Sequence, residues 1–226
     1  MYDAIRNKKV IITHADRYMG PACVDSFSKA GAKVIAHDGD LSSEKACAQL
    51  IENAGKIDVL IINLAASNHY GTLVTEMSEA NWQKMFDLLV HPLHRLVRLT
   101  LPQMIERRSG KIIVFGSAVP LRPMGRLCAY SAARGAQISY VKSVGVEVAR
   151  HNVQVNLIAQ NWVENPAYYP PELQENPKFQ KNLKEQVPLG RLAKPEEDTA
   201  LALFLASDQS DFFVGQAIPF SGGWAS

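Results

Sequence analysis

The chain has 226 residues, 47% of them hydrophobic and 20% charged, with a formal net charge of +2. The length suits a single domain over residues 1–226, and the apolar supply is enough for a large buried core. So even a charge balance lacks the basic stripe that nucleic acid or an anionic membrane surface selects, so both are excluded as partners.

Apolar runs alternate with helical patterns along the chain. Residues 9–13 (KVIIT) read as a buried strand, and 21–30 as a helix. A second strand covers 33–37 (KVIAH), and Ser42 or Ser43 caps a helix over 43–54. The run 57–64 (IDVLIINL) is a third strand. One long helix over 79–106 follows, kinked at Pro92. Strand four is 110–117 (GKIIVFGS), followed by a helix over 127–150 and strand five at 153–159. Segment 161–190 is Pro-rich and irregular, with one short helix near 178–185. Pro195 opens a helix to residue 207, and 216–220 is the last strand. Strands apolar on both faces and alternating with helices predict an α/β fold, a doubly wound Rossmann-like parallel sheet of about six strands. Ligands should then bind at the carboxyl ends of the strands.

The three cysteines, Cys23, Cys47 and Cys128, are odd in number and have no CxxC spacing, which argues against disulfides and a zinc site. His14 and His37 have no partner at metal spacing, and Asp38 and Asp40 read as turn residues, so no metal is expected. The first residues hold no apolar signal core, and no apolar run spans a bilayer. A cytoplasmic location is the resulting expectation.

Chemistry concentrates in one constellation. Ser117 ends strand four, and Tyr130 and Arg134 follow near the start of the next helix. Their i, i+4 spacing puts the phenol and the guanidinium on one helix face. A permanent positive charge there favours the phenolate form. Ser117 would orient a substrate oxygen.

Ser117…Tyr130-x3-residue 134 resembles the active-site signature of short-chain dehydrogenases/reductases. IDVLIIN, GKIIVFGS, PLGRLAKPEE and FSGGW extend the similarity over nearly the whole chain. Four departures point away from redox chemistry. Arg134 replaces the family Lys that also holds the nicotinamide ribose. The glycine-rich turn TGxxxGxG reads Thr13-His14-Ala15-Asp16-Arg17-Tyr18-Met19-Gly20, with only the last glycine kept. The interval from Thr13 to Asn63 is too short for the strand and helix that flank the family's adenine pocket. Leu89 stands where the family has a proton-relay Asn.

Thr13…Tyr18-x-Gly20 together with Ser117…Tyr130…Arg134 is similar to the paired signature of halohydrin dehalogenases. That resemblance implies a cofactor-independent enzyme that closes vicinal halo-alcohols to epoxides. Ser117 would hold the hydroxyl, Tyr130 would act as base and Arg134 would poise it. It implies a halide site walled by Tyr18 and by the loop Gln160-Asn161-Trp162-Val163, with Tyr169 further along. Gln160 stands where some members carry Pro. The resemblance also implies reverse ring opening by azide, cyanide or nitrite, and a homotetramer built on the two long helices. The competing readings are an atypical NAD(P)-dependent reductase and a non-catalytic scaffold.

Overall fold

The computed structural model describes residues 4–66 and 72–226. Six strands form one sheet: β1 Lys9–Thr13, β2 Lys33–His37, β3 Val59–Asn63, β4 Gly110–Phe115, β5 Val153–Gln160 and β6 Ala217–Phe220. All pairings are parallel, in the order β2-β1-β3-β4-β5-β6. Eight α-helices complete the described chain: α1 Gly20–Lys29, α2 Glu44–Ala54, α3 Glu79–Leu89, α4 His91–Glu106, α5 Cys128–Val148, α6 Pro171–Gln174, α7 Pro177–Gln186 and α8 Pro195–Ala206.

Two apolar layers sandwich the sheet. Side chains of α2, α3, α4 and α5 pack on one face, and those of α1 and α8 on the other. β1, β3, β4 and β5 are almost wholly buried, as expected for strands covered on both sides. β2 and β6 are partly exposed, because they form the two edges. The chain runs outward from β1 to β2 and then crosses to β3 on the far side. The loops after β1 and β3 therefore part at a topological switch point, where such sheets take ligands.

Three helical expectations need correction. The single kinked helix over 79–106 is two helices that meet at Val90. Pro92 lies in the first turn of α4; it has no N–H, and in a continuous helix its ring would clash with the carbonyl four residues back, so it starts a new helix rather than bending an old one. The helix over 127–150 stops at Val148 and tightens into a 3₁₀ turn over Ala149–His151. The irregular segment 161–190 holds two helices, each opened by a proline. Ser43, rather than Ser42, caps α2, accepting a hydrogen bond from the Ala46 N–H.

The first turn of α8 carries three acids in a row, and they part company. Glu197 forks onto Arg191 at 2.6 and 2.7 Å and accepts from the Lys194 N–H, which holds its carboxyl down at about 2. Its neighbour Asp198 turns inward, 0% exposed, with neither carboxylate oxygen hydrogen-bonded. Burial pushes the Asp198 carboxyl well above the ordinary range.

Candidate active site

The turn between β1 and α1 forms one wall. Gly20 keeps its place because a Cβ there would collide with the His14 carbonyl oxygen and press on Ala15. His14 and Tyr18 occupy the two positions where glycine is missing, yet both retain left-handed backbone, with φ of 44° and 52°. Left-handed backbone is unusual for a bulky residue such as Tyr and needs outside support. Asn63, at the end of β3, supplies it: its side-chain NH2 donates to the carbonyls of His14 and Arg17, both at 3.0 Å. Thr13 Oγ1 accepts from the Asn63 N–H at 2.9 Å, which ties β1 to β3 at the same level. Tyr18 is thereby fixed over the strand ends, stacked on Tyr168 with ring centroids 5.6 Å apart. Burial, followed by the nearby Arg17 charge, lowers the His14 imidazole below its ordinary value.

β4 and α5 form the opposite wall. Ser117 follows β4 and is buried; its Oγ accepts from the Val119 N–H at 3.2 Å. Tyr130 and Arg134 lie on α5, with the guanidinium carbon 5.2 Å from the Tyr130 ring centroid. Arg134 is only 3% exposed. Its Nη1 donates to the Phe115 carbonyl at 3.2 Å and to Gln137 Oε1 at 2.9 Å.

The segment after β5 closes the space. Trp162 is a third residue with left-handed backbone, φ 60°, and its N–H donates to Asn161 Oδ1 at 2.9 Å. Its indole stacks on Tyr169 at 5.9 Å and tilts toward Phe179 at 6.3 Å. Val163 bridges to Ala193 and belongs to the core on the α1 side.

All nine residues singled out in the sequence line this one cavity: Tyr18, Ser117, Tyr130, Arg134, Gln160, Asn161, Trp162, Val163 and Tyr169. Its volume is about 60 Å³. Arg134 is the only charged residue among the described lining residues. Three polar atoms of lining residues are buried without hydrogen-bond partners: Arg134 Nε, Trp162 Nε1 and Gln160 Oε1. Buried polar groups need partners: the two N–H groups suit a hydrogen-bond acceptor and Gln160 Oε1 a donor. Sequence reasoning missed Tyr168, whose hydroxyl donates to the Ala66 carbonyl at 3.0 Å, and Gln137 behind Arg134. Tyr168 could have been found only as the neighbour of Tyr169, and Gln137 only as the polar residue one turn past Arg134.

A second cavity of about 390 Å³ adjoins the first, lined by His14, Arg17, Asp38 and Asp40 among others. Tyr18, Leu64 and Ala65 line both. The fold invites a dinucleotide spanning the two spaces, its pyrophosphate on a bare glycine turn at a helix N-terminus. The residues present do not fit that group, because Tyr18 puts a phenol ring between the two cavities and His14 carries an imidazole on the turn. Among the described residues no cluster of three metal-ligating side chains occurs, and no helix is long and apolar enough to cross a membrane.

A family model described as enoyl-(acyl carrier protein) reductase matches residues 6–225. The chain belongs to the short-chain dehydrogenase/reductase family. Dehydrogenase/reductase SDR family member 6 of Rattus norvegicus is 28% identical, covering 98% of each chain. That alignment runs over 248 positions, more than the 226 residues present here, so the relative carries residues with no counterpart. A solved structure described as a dehalogenation enzyme is similar at a TM-score of 0.91 and 30% identity, covering 98% of this chain and 100% of that one. The halohydrin dehalogenase HheC bound to ethyl (2S)-oxiran-2-ylacetate is similar at a TM-score of 0.89 and 25% identity, covering 97% and 98%.

Proposed function

We propose that this protein is a halohydrin dehalogenase that works without a nicotinamide. The observation that carries the reading is a single cavity with Ser117, Tyr130 and Arg134 on one side and Tyr18 on the other, where a redox relative would have bare glycine. The likeness to two dehalogenating enzymes supports it, one of them holding an epoxide ester.

Ser117 accepts or donates a hydrogen bond to the substrate hydroxyl and fixes its direction. The hydroxyl proton passes to the Tyr130 oxygen, whose negative form the adjacent guanidinium stabilises. An oxygen lone pair attacks the neighbouring carbon from behind, and the carbon–halogen bond breaks as the halide departs with its electron pair. The products are an epoxide, a halide ion and a proton. The halide lodges among Tyr18, Gln160, Asn161, Trp162, Val163 and Tyr169, where aromatic walls exclude water and the Trp162 indole N–H is without a partner. In reverse, azide, cyanide or nitrite opens the ring while the site returns the proton. The helices α3, α4 and α5, which cover the two long stretches 79–106 and 128–148, carry the homotetramer in this reading.

Purified protein incubated with a small bromo-alcohol and no cofactor should release bromide, with Tyr130→Phe inactive. Absence of release from the parent protein would sink the reading. One observation favours a second reading, a reductase that takes a dinucleotide in an altered pose. Asp38 follows β2 and lines the adjoining cavity, the position from which such folds hold a ribose. Micromolar binding of NAD or NADP by calorimetry would select that alternative.

A further inference from the structure

We infer that Gln137 is a positioning residue of this site: it locks the Arg134 guanidinium against the Tyr130 ring and so sets the charge felt by the base. Its kinetic consequence rests on the dehalogenase reading; its electrostatic consequence does not.

Gln137 lies one turn past Arg134 on α5, so both project from the same face of the helix. It is completely buried. Its Oε1 accepts from Arg134 Nη1 at 2.9 Å, and its Nε2 donates to the Leu89 carbonyl at 2.7 Å, where α3 ends. These partners fix which way the amide faces. Turned over, it would set NH2 against the guanidinium N–H and oxygen against the carbonyl, both repulsive. The position therefore needs an acceptor and a donor on one short planar group, which Glu, Met and Leu cannot supply together.

The same contact decides where Arg134 points. Besides Gln137, the guanidinium donates to the Phe115 carbonyl at 3.2 Å, while Nε has no partner. Arg134 is thus held from β4 on one side and, through Gln137, from α3 on the other. A long side chain with one of these anchors removed regains rotamer freedom, and its charge is no longer held over the ring. The break between α3 and α4 matters here, because it sets the Leu89 carbonyl within reach of α5.

The surroundings make charge at position 137 decisive. Around Tyr130, the loop after β1 contributes Tyr18, the segment after β5 contributes Tyr168 and Tyr169, and Arg126 lies just before α5. Among the described residues, neither cavity lined by Tyr130 has a carboxylate or an imidazole in its wall. Gln137→Glu would keep an acceptor for Arg134, lose the donor to Leu89, and place a compensating negative charge on the guanidinium. Gln137→Met keeps the length and loses both hydrogen bonds.

The test uses the full-length protein and two readouts. One is kcat and KM for cofactor-free bromide release from a small bromo-alcohol, measured across pH. The other needs no substrate: ultraviolet phenolate absorbance against pH, with the Tyr130→Phe signal subtracted. Gln137→Met should lower kcat by about tenfold to a hundredfold with KM within about twofold, the range for residues that orient a working group. Gln137→Glu should move the acid limb of the kcat profile and the Tyr130 phenolate signal to higher pH, because the added carboxylate offsets the guanidinium. Folded variants with the parental kcat profile and parental phenolate titration would overturn the assignment. Should Gln137→Met fail to fold, Gln137→Glu decides alone. A parent that releases no bromide, with a phenolate signal that still moves in Gln137→Glu, would leave the positioning role standing and remove the dehalogenase reading.

Discussion

Replacing Asp198 with Val should make this protein more stable, and more so as pH rises. The carboxyl is 0% exposed in α8 and neither oxygen has a hydrogen-bond partner. Leaving a buried polar group unsatisfied costs about 1–3 kcal/mol. Ionisation adds a second cost. Burial pushes the folded carboxyl well above the ordinary carboxylate range, so between the unfolded and folded values the folded state holds one proton more than the unfolded state. Stability therefore falls as pH rises through that interval, by up to about 1.4 kcal/mol per pH unit. Val is somewhat larger than Asp and close to it in helix propensity, so the apolar replacement adds bulk but little propensity cost. A net gain of about 2 kcal/mol near neutral pH would raise the thermal midpoint by about 4–8 °C in a chain of this size. Asp198→Asn separates the two costs: it removes the titration and keeps an unsatisfied polar group. Urea unfolding at mildly acidic and mildly alkaline pH reads both. The parent should lose stability with rising pH more steeply than either variant, and Val should exceed Asn at every pH. An Asp198→Val variant less stable than the parent at neutral pH would refute the reasoning, because it would mean that the carboxylate has a favourable partner in the folded protein.

Other expectations concern the site and the assembly. Ser117→Ala should cost at least about a hundredfold in kcat/KM for bromide release, at the low end for groups engaged in proton transfer, whereas near-parental turnover would remove Ser117 from the mechanism. Calorimetry should detect no sub-millimolar binding of NAD or NADP, since the Tyr18 ring separates the two cavities. Bromide should quench part of the tryptophan fluorescence saturably, with chloride competing, and Trp162→Phe should remove that component; linear, chloride-insensitive quenching would place the anion elsewhere. Light scattering should give a tetramer at micromolar concentration, with a monomer refuting assembly through α3, α4 and α5.

What was legible in the sequence was whatever depended on short-range periodicity. Ser117 stands near a strand end and Tyr130 and Arg134 at an i, i+4 spacing, whereas Tyr18 stood out only through the resemblance to a family turn that carries glycine there. What escaped depended on contacts between distant segments. Gln137 is an ordinary helical glutamine until α3 brings the Leu89 carbonyl beside it. The two halves of the 79–106 pattern share one apolar period, and a proline in such a pattern is compatible with either a kink or a break, so the periodicity alone does not tell them apart. Asp198 reads as one of three acids that suit a helix N-terminus, and nothing local reveals that it is the one facing the core.

The turn after β1 keeps a backbone suited to glycine while it carries side chains. Its backbone keeps the left-handed positions at 14 and 18 that glycine would fill without strain, and pays for side chains there. Each such position costs on the order of 1–3 kcal/mol and persists only where its surroundings fix it. Asn63 is the fixing element, through two carbonyls on either side of Ala15 and Asp16. Gly20 is retained for a different reason, since there packing against the His14 carbonyl leaves no room for any side chain. The two lost glycines are thus those whose removal adds a wall, and the kept one is that whose removal would break the turn. Tyr18 lines both cavities at the place where they adjoin. The inner one holds Ser117, Tyr130 and Arg134 in a volume of about 60 Å³.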